Sequence, residues 1–106
     1  MNQFVSIVLY DLPTKTSSER KTYRIFRKDL KSLGFYQLQK SVYIKKLYNI
    51  ESKNRLLSSI HKILPNKGDV RLIIMTNKQF SSTFHLLGDQ QLCEKIFVKT
   101  HAIIEL

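Results

Sequence analysis

The chain has 106 residues, of which 42% are hydrophobic and 25% are charged, so it carries enough apolar sequence for one packed domain. Lysine and arginine number 18 against 8 acids, and the formal net charge of +10 favours a polyanionic partner such as nucleic acid. Cys93 is the single cysteine, which excludes an intramolecular disulfide and a cysteine metal cluster. No apolar run approaches the ~20 residues of a membrane span, and the first ten residues lack the pattern of a signal peptide. We therefore expect one cytoplasmic domain over residues 1–106, with no membrane partner.

The positive charge is concentrated in the first half of the chain. Residues 1–48 contain ten lysines and arginines against three acids, whereas residues 49–106 contain eight against five. The first half is therefore where we expect a nucleic-acid surface. The alternative is that the charge only keeps the protein in solution.

The first predicted elements are a strand and a helix. Residues 4–10 form a nearly unbroken apolar and β-branched run, which is typical of a strand buried on both faces, and Pro13 ends it. Thr16 and Glu19 have the spacing of a capping box, so a helix is predicted from there to Leu33, where Gly34 ends it. One side of this helix carries apolar residues at helical spacing: Tyr23, Phe26, Leu30 and Leu33.

The middle of the chain predicts two strands and a second helix. Residues 35–47 have strand character with a break near Lys40 and Ser41. Asn49 is expected to cap a helix that runs up to Pro65. The apolar positions of that helix recur at helical spacing: Leu56, Leu57, Ile60, Ile63 and Leu64.

The last third predicts a buried strand over residues 70–75, a short helical turn near Phe80 and a short strand over residues 83–87. The tail, about residues 89–106, has strand character and is expected to exchange between two protomers. The predicted order is β-α-β-β-α-β with an extra C-terminal strand, which is an α+β, ferredoxin-like arrangement. An unpaired edge strand is an aggregation hazard, so we expect the extra strand to pair with a second copy in a homodimer.

Asp11 is the first candidate for a catalytic or metal-binding role. It stands where a rigid, buried strand leaves the sheet, and such positions suit metal ligands and catalytic groups. No other acid lies close to it in the sequence, but a two-fold dimer would bring two copies of Asp11 together. Mg²⁺ uses one or two carboxylates and keeps several waters, which could attack a phosphodiester. The alternative is that Asp11 only accepts hydrogen bonds from the local turn.

A basic stripe on the first predicted helix is the second candidate. It lies beside the apolar side of the helix and consists of Arg20, Arg24, Arg27, Lys28 and Lys31. Cations along a straight helix suit the repeating phosphates of a duplex. The alternative is an ordinary solvated helix face, but few acids are near enough to pair with these residues.

Several segments together resemble one family. They are residues 9–14 (LYDLPT), 19–28 (ERKTYRIFRK), 34–35 (GF) and 38–43 (LQKSVY). The chain is similar to the small ferredoxin-like subunit of CRISPR spacer acquisition, the Cas2 family, from the first strand to about Phe80. The resemblance implies a homodimer with a magnesium site made by Asp11 of each protomer. Tyr10, Ser41 and Tyr43 belong to the motifs near that site.

The resemblance also implies what the protein does. Members include metal-dependent endonucleases on RNA or DNA, and the dimer bridges copies of the CRISPR integrase subunit on double-stranded DNA. Arg20, Arg24 and Arg27 lie where members bind nucleic acid. Two alternatives stay open: a non-catalytic structural adaptor in the same complex, and a toxin-like ribonuclease of the same fold.

Overall fold

The computed structural model describes residues 3–88 and contains four strands and three helices in that part of the chain. In chain order the elements are β1 (Phe4–Asp11), α1 (Ser17–Ser32), β2 (Tyr36–Gln39), β3 (Val42–Leu47), a 3-10 turn (Ile50–Ser52), α2 (Lys53–His61), β4 (Asp69–Thr76) and α3 (Asn77–Ser81). This is the predicted β-α-β-β-α-β order followed by a short helix. None of these helices is long and apolar enough to cross a bilayer.

The four strands form one antiparallel sheet in the order β2-β3-β1-β4. β1 lies in the centre, between β3 and β4, so its backbone is hydrogen-bonded on both edges. Each of the two longer helices connects parallel strands that have one antiparallel strand between them. This topology confirms the ferredoxin-like α+β fold, and the four-residue β2 and the β2–β3 turn confirm the predicted break before Ser41.

Helix α1 begins as the sequence predicts. Thr16 Oγ1 accepts a hydrogen bond from the Glu19 amide at 3.0 Å, and Glu19 Oε1 accepts one from the Thr16 amide at 3.0 Å. The hydrogen bond from the Thr16 amide is the main cause that lowers the pKa of Glu19. The helix ends at Ser32, and Gly34 follows with a positive φ of 97° that suits glycine.

The second helix is shorter than predicted. Asn49 does act as a cap, because its Oδ1 accepts a hydrogen bond from the Ser52 amide at 2.9 Å. It caps a 3-10 turn, however, and the α-helix proper spans Lys53–His61. After His61 the amides of Ile63 and Leu64 donate to carbonyl oxygens three residues back, at 3.0 and 3.5 Å, and Pro65 disfavours any helical continuation at Leu64.

The sheet buries apolar side chains on both faces. On one face α1 and α2 cover a cluster centred on Val8, Tyr10, Phe26 and Leu30. On the other face lies a smaller cluster of four buried residues, namely Val5, Ile7, Ile44 and Phe80. Because consecutive residues of β1 point to opposite faces, this central strand is buried on both sides, as predicted.

Two predicted strands are corrected by the structure. The sequence predicts a buried strand over residues 70–75, but β4 is an edge strand with alternating exposure, and Ile73 is 44% exposed. Residues 83–87 are not a strand at all. Phe84, Leu86 and Leu87 are 68%, 90% and 93% exposed, and this segment does not pair with the four-stranded sheet. Extended backbone becomes a strand only where a partner supplies hydrogen bonds.

The predicted extra C-terminal strand and the exchanging tail, residues 89–106, lie outside the described residues. The homodimer and the extent of the single domain stay predictions.

Candidate active site and nucleic-acid interface

Asp11 is the last residue of β1 and is exposed. Strand alternation places it on the same face as Ile7 and Leu9, which is the face that α1 and α2 leave open. Tyr10, one residue earlier, belongs to the helix-covered face and is buried. The carboxylate is thus carried by the most firmly hydrogen-bonded strand of the sheet and projects from its end.

A second carboxylate, missed by the sequence analysis, lies directly opposite Asp11. In the β1–β4 register Asp11 pairs with Asp69, and side chains of directly opposite residues have Cβ atoms about 5 Å apart. The Asp69 carboxylate is held by Arg71, with Nε to Oδ1 at 2.9 Å and Nη2 to Oδ2 at 3.2 Å. This two-pronged hydrogen bond lowers the pKa of Asp69. The sequence does predict the strand that begins at this point, from the apolar residues after Asp69. It does not predict the register of that strand against β1, so the pairing of Asp69 with Asp11 could not be inferred.

A cavity of about 450 Å³ opens beside Asp11, between the end of β1, the start of α1 and the β2–β3 turn. Its lining residues are Asp11, Leu12, Thr14, Arg20, Tyr23, Arg24, Lys40 and Ser41. Three of these side chains are cationic and one is acidic. The structure therefore brings together four of the residues singled out in the sequence: Asp11, Arg20, Arg24 and Ser41. Arg27, Lys28 and Lys31 do not line the cavity and continue along α1.

Arg20 has a structural task in addition to any ligand contact. Its Nη1 donates to the carbonyl oxygens of Thr14 at 3.3 Å and Lys15 at 3.0 Å. These bonds tie the first turn of α1 to the loop that leaves β1. Arg24, one helical turn later, is exposed and faces the cavity. Arg24 is thus the better-placed residue for a phosphate.

Three tyrosines, namely Tyr10, Tyr23 and Tyr43, pack against the β2–β3 turn or against one another beneath it. The Tyr10 and Tyr23 hydroxyls both donate to the Lys40 carbonyl oxygen, at 3.4 and 3.5 Å. The Tyr10 amide donates to the Ser41 carbonyl oxygen at 3.0 Å. The Tyr10 ring stacks on Tyr43 with a centroid separation of 6.0 Å. The tyrosines thereby place Lys40 and Ser41 at the cavity mouth.

Burial favours the protonated form of two of these side chains, Tyr10 and Tyr43. It is the largest cause that raises the pKa of Tyr10 and that of Tyr43. The positive charge of Arg27 acts in the opposite direction and lowers the pKa of Tyr43. Tyr10 and Tyr43 do not line the cavity and therefore support the site rather than contact a ligand there.

Among residues 3–88, no group of three histidine, cysteine or acidic side chains is placed to hold a metal ion. A metal at Asp11 would therefore depend on one or two protein carboxylates, and Mg²⁺ is bound in this way with water completing its shell.

The family model described as CRISPR associated protein Cas2 matches residues 3–83. The chain belongs to the Cas2 family. The match spans β1 to α3 and includes Asp11, Arg24, Ser41 and Asp69. The predicted family is thereby confirmed.

Curated Cas2 relatives match most of the chain. A protein of Ligilactobacillus salivarius is 43% identical over 82 residues, which cover 77% of this chain and 81% of the relative. A protein of Streptococcus mutans is 40% identical over 84 residues, which cover 79% and 78%. Both are named CRISPR-associated endoribonuclease Cas2, which agrees with the predicted class of nuclease.

A solved structure titled "Crystal structure of cas2" shares the fold. It superposes with a TM-score of 0.58, at 21% identity, and covers 85% of this chain and 92% of that chain. The described part of this chain thus has the Cas2 architecture, with Asp11 at the end of its central strand.

Proposed function

We propose that this Cas2-family protein is a metal-dependent endonuclease that acts in CRISPR spacer acquisition, with Asp11 as the metal-binding and catalytic carboxylate. The observation that carries the proposal is the cavity in which Asp11 meets Arg24, Lys40 and Ser41. One carboxylate surrounded by cations and a hydroxyl suits a phosphodiester together with a divalent ion.

The proposed metal is Mg²⁺, held by Asp11 and by the Asp11 of a second protomer. Asp11 is exposed on the open face of the sheet, so a two-fold axis beside that face would bring two carboxylates together. When bound, the ion supplies an activated water and neutralises charge on a phosphate oxygen.

The chain's own residues have separate tasks in this proposal. Arg24 and Lys40 attract and orient the phosphate at the cavity. The Ser41 hydroxyl offers a hydrogen bond to a phosphate oxygen. Arg20 fixes the loop between β1 and α1 through its two carbonyl contacts. The remaining cations of the basic stripe extend the phosphate contacts along α1, and they are Arg27, Lys28 and Lys31.

The homodimer is the proposed working form. On the open face of the sheet Phe80 of α3 is buried against Ile7 and Ile44, and shortly after α3 the apolar side chains of Phe84, Leu86 and Leu87 are exposed. Apolar surface of this kind is typical of an interface. The proposed partners are the CRISPR integrase subunit and double-stranded DNA or RNA, and such partners place the protein in the cytoplasm.

A non-catalytic adaptor is the second candidate. It uses the same basic surface and needs no chemistry at Asp11. The observation that favours it is the ion pair between Asp69 and Arg71. Because Asp69 is paired in this way, Asp11 is the one carboxylate that lines the cavity in the described part of a protomer, and one carboxylate is a weak metal site.

The deciding experiment compares metal-dependent cleavage of RNA and DNA by Asp11→Asn and by the wild type. Asparagine keeps the shape of the side chain and loses the charge that a hard cation requires. We expect Asp11→Asn to abolish Mg²⁺-dependent cleavage without changing the melting temperature or the mass of the dimer.

The matched control is Asp29→Asn, which removes the same charge from α1 at a position that does not line the cavity at Asp11. We expect it to cleave at the wild-type rate. Cleavage by Asp11→Asn at the wild-type rate would refute the catalytic role and favour the adaptor.

A further inference from the structure

A second groove lies at the other end of β3 from Ser41. It has a volume of about 280 Å³ and is bounded by the end of α1, the end of β3 and the start of α2. Lys46, Tyr48, Ser52 and Arg55 are among its lining residues. It shares no lining residue with the cavity at Asp11.

The groove carries positive charge without compensation. None of its lining residues is acidic. Within residues 3–88 the one salt bridge joins Arg71 to Asp69, so neither Lys46 nor Arg55 is ion-paired in that part of the chain. Lys45 also lines the groove, but its Nζ donates to the Leu33 carbonyl oxygen at 2.6 Å and caps the end of α1. Lys46 and Arg55 are therefore the cations available to an anionic ligand.

An aromatic ring stands beside these cations. Tyr48 is 64% exposed, and Lys46 Nζ lies 5.8 Å from its ring centroid. An exposed aromatic ring next to cations is the combination that binds unpaired nucleotides, because the base stacks on the ring and the cations contact the phosphates. Bases inside a duplex are already stacked and cannot use such a ring.

The two cavities are connected by the basic stripe. Arg24 lines the first cavity and Leu33 lines the groove, and the exposed Lys28 and Lys31 lie between them on α1. The six residues of β3 separate the cavities by about 20 Å at ~3.3 Å per residue. At ~3.4 Å per nucleotide this separation corresponds to about six nucleotides of a stacked strand.

We propose that the groove binds a single-stranded segment of nucleic acid, with a base stacked on Tyr48 and its phosphates on Lys46 and Arg55. The strand continues along α1 to the cavity at Asp11. This inference rests on the nucleic-acid binding in the proposed function, but not on cleavage at Asp11.

The test measures binding by fluorescence anisotropy to labelled single-stranded DNA and to a blunt duplex of the same length. Tyr48→Ala should weaken single-strand binding at least about fivefold and leave duplex binding unchanged, because only an unpaired base can stack on the ring. Tyr48→Phe keeps the ring and should bind like the wild type. Wild-type affinity should rise as the strand exceeds about six nucleotides, and Tyr48→Ala should lose that rise.

The cations are tested by salt dependence. The double change Lys46→Ala and Arg55→Ala should reduce the log–log salt slope for single-stranded DNA by about 1.4, at ~0.7 per phosphate contact. Lys62→Ala removes one positive charge about two turns beyond Arg55, outside both cavities, and should leave the slope unchanged, whereas each single groove change should lower it by about 0.7.

Arg24→Ala, measured in the same assays, separates the two proposals. If Arg24→Ala lowers the slope whereas the groove variants change nothing, the groove proposal is wrong and the proposed function stands. If none of these variants changes binding, the groove proposal and the proposed phosphate contact of Arg24 are both wrong, and cleavage at Asp11 is left to the Asp11→Asn test. Equal weakening of single-strand and duplex binding by Tyr48→Ala would also overturn the stacking role.

Discussion

Gly68 packs directly against the backbone of Asp11. A Cβ atom at position 68 would lie 2.7 Å from the Asp11 carbonyl oxygen and 2.6 Å from Leu12 Cδ2, closer than such atoms approach in proteins. Gly68 also has a φ of +106°, which side chains disfavour. Asp69 is the next residue in the chain and pairs with Asp11 across the two strands. The close contact at Gly68 therefore helps to position the first residue of β4 opposite the last residue of β1.

Gly68→Ala should therefore destabilise the protein more than a change at another glycine with positive φ. Gly34→Ala is the matched control, since its φ is +97° and its nearest contact would be Lys45 Cε at 3.4 Å, on a flexible side chain. Both variants incur the backbone strain of about 1–2 kcal/mol, and Gly68→Ala adds the clash with Asp11. Urea unfolding of both variants gives the difference. Equal losses of stability would contradict the close packing at Asp11.

Arg71→Ala should lower the melting temperature in a pH-dependent manner. Arg71 lowers the pKa of Asp69 in the folded state, so its stabilising effect is present above the pKa of an unfolded aspartate, ~3.9, and is lost as the pH falls through the folded pKa. At pH 7 the variant also removes the positive charge beside Asp69. The Asp69 carboxylate then lies opposite the Asp11 carboxylate without a compensating cation, and like charges at directly opposite positions destabilise a sheet.

We expect the difference in melting temperature between Arg71→Ala and the wild type to be present at pH 7 and to shrink as the pH falls below ~3.9 and through the lowered folded pKa of Asp69. Arg55→Ala serves as the control, because Arg55 forms no ion pair within residues 3–88. The difference in melting temperature between Arg55→Ala and the wild type should therefore not change over the pH range in which Asp69 is protonated. A constant difference for Arg71→Ala between pH 7 and pH 2.5 would contradict the role of the ion pair.

The basic stripe should govern the salt dependence of duplex binding. Changing Arg24, Lys28 and Lys31 to Ala removes three exposed cations of α1 and should reduce the log–log slope by about 3, at ~0.9 per contact. Binding should weaken for all sequences alike, because phosphate contacts carry no sequence information. An unchanged slope, measured by titration at several salt concentrations, would place the duplex surface elsewhere.

Arg20→Ala should behave differently from its neighbours on the stripe. It removes the two hydrogen bonds to the Thr14 and Lys15 carbonyl oxygens, and a hydrogen bond from a charged donor contributes about 1.5 kcal/mol or more before solvent screening. Since these groups are exposed, we expect a loss below about 1 kcal/mol in addition to weaker binding. Arg24→Ala should weaken binding without that loss. Equal stability of the two variants by thermal unfolding would argue against the loop-holding role.

The protein should be a homodimer in solution. Light scattering at micromolar concentration should give twice the chain mass of 12.5 kDa. Leu86→Ser with Leu87→Ser removes two of the most exposed apolar side chains and should shift the equilibrium toward the monomer. Leu64→Ser, at a partly exposed site after α2, should not. A wild-type monomer at that concentration would refute the dimer.

The amino-acid sequence by itself determined the features that depend on neighbouring residues. The capping box of Thr16 and Glu19 is formed within four residues, so its spacing alone predicts where α1 begins. The apolar run before Asp11 likewise predicts a central strand and places Asp11 at its end. The helical spacing of the cations on α1 predicts a basic stripe without knowledge of the rest of the fold.

Only the tertiary structure decided which distant residues meet. The pairing of Asp11 with Asp69, the edge position of β4 and the absence of a strand over residues 83–87 all depend on which strands become neighbours. Arg20 belongs to the predicted stripe, yet its contacts with the preceding loop depend on how that loop folds back. The physical reason is that a strand pairs through backbone hydrogen bonds that every sequence offers, so register and edge position are set by the packing of the whole sheet.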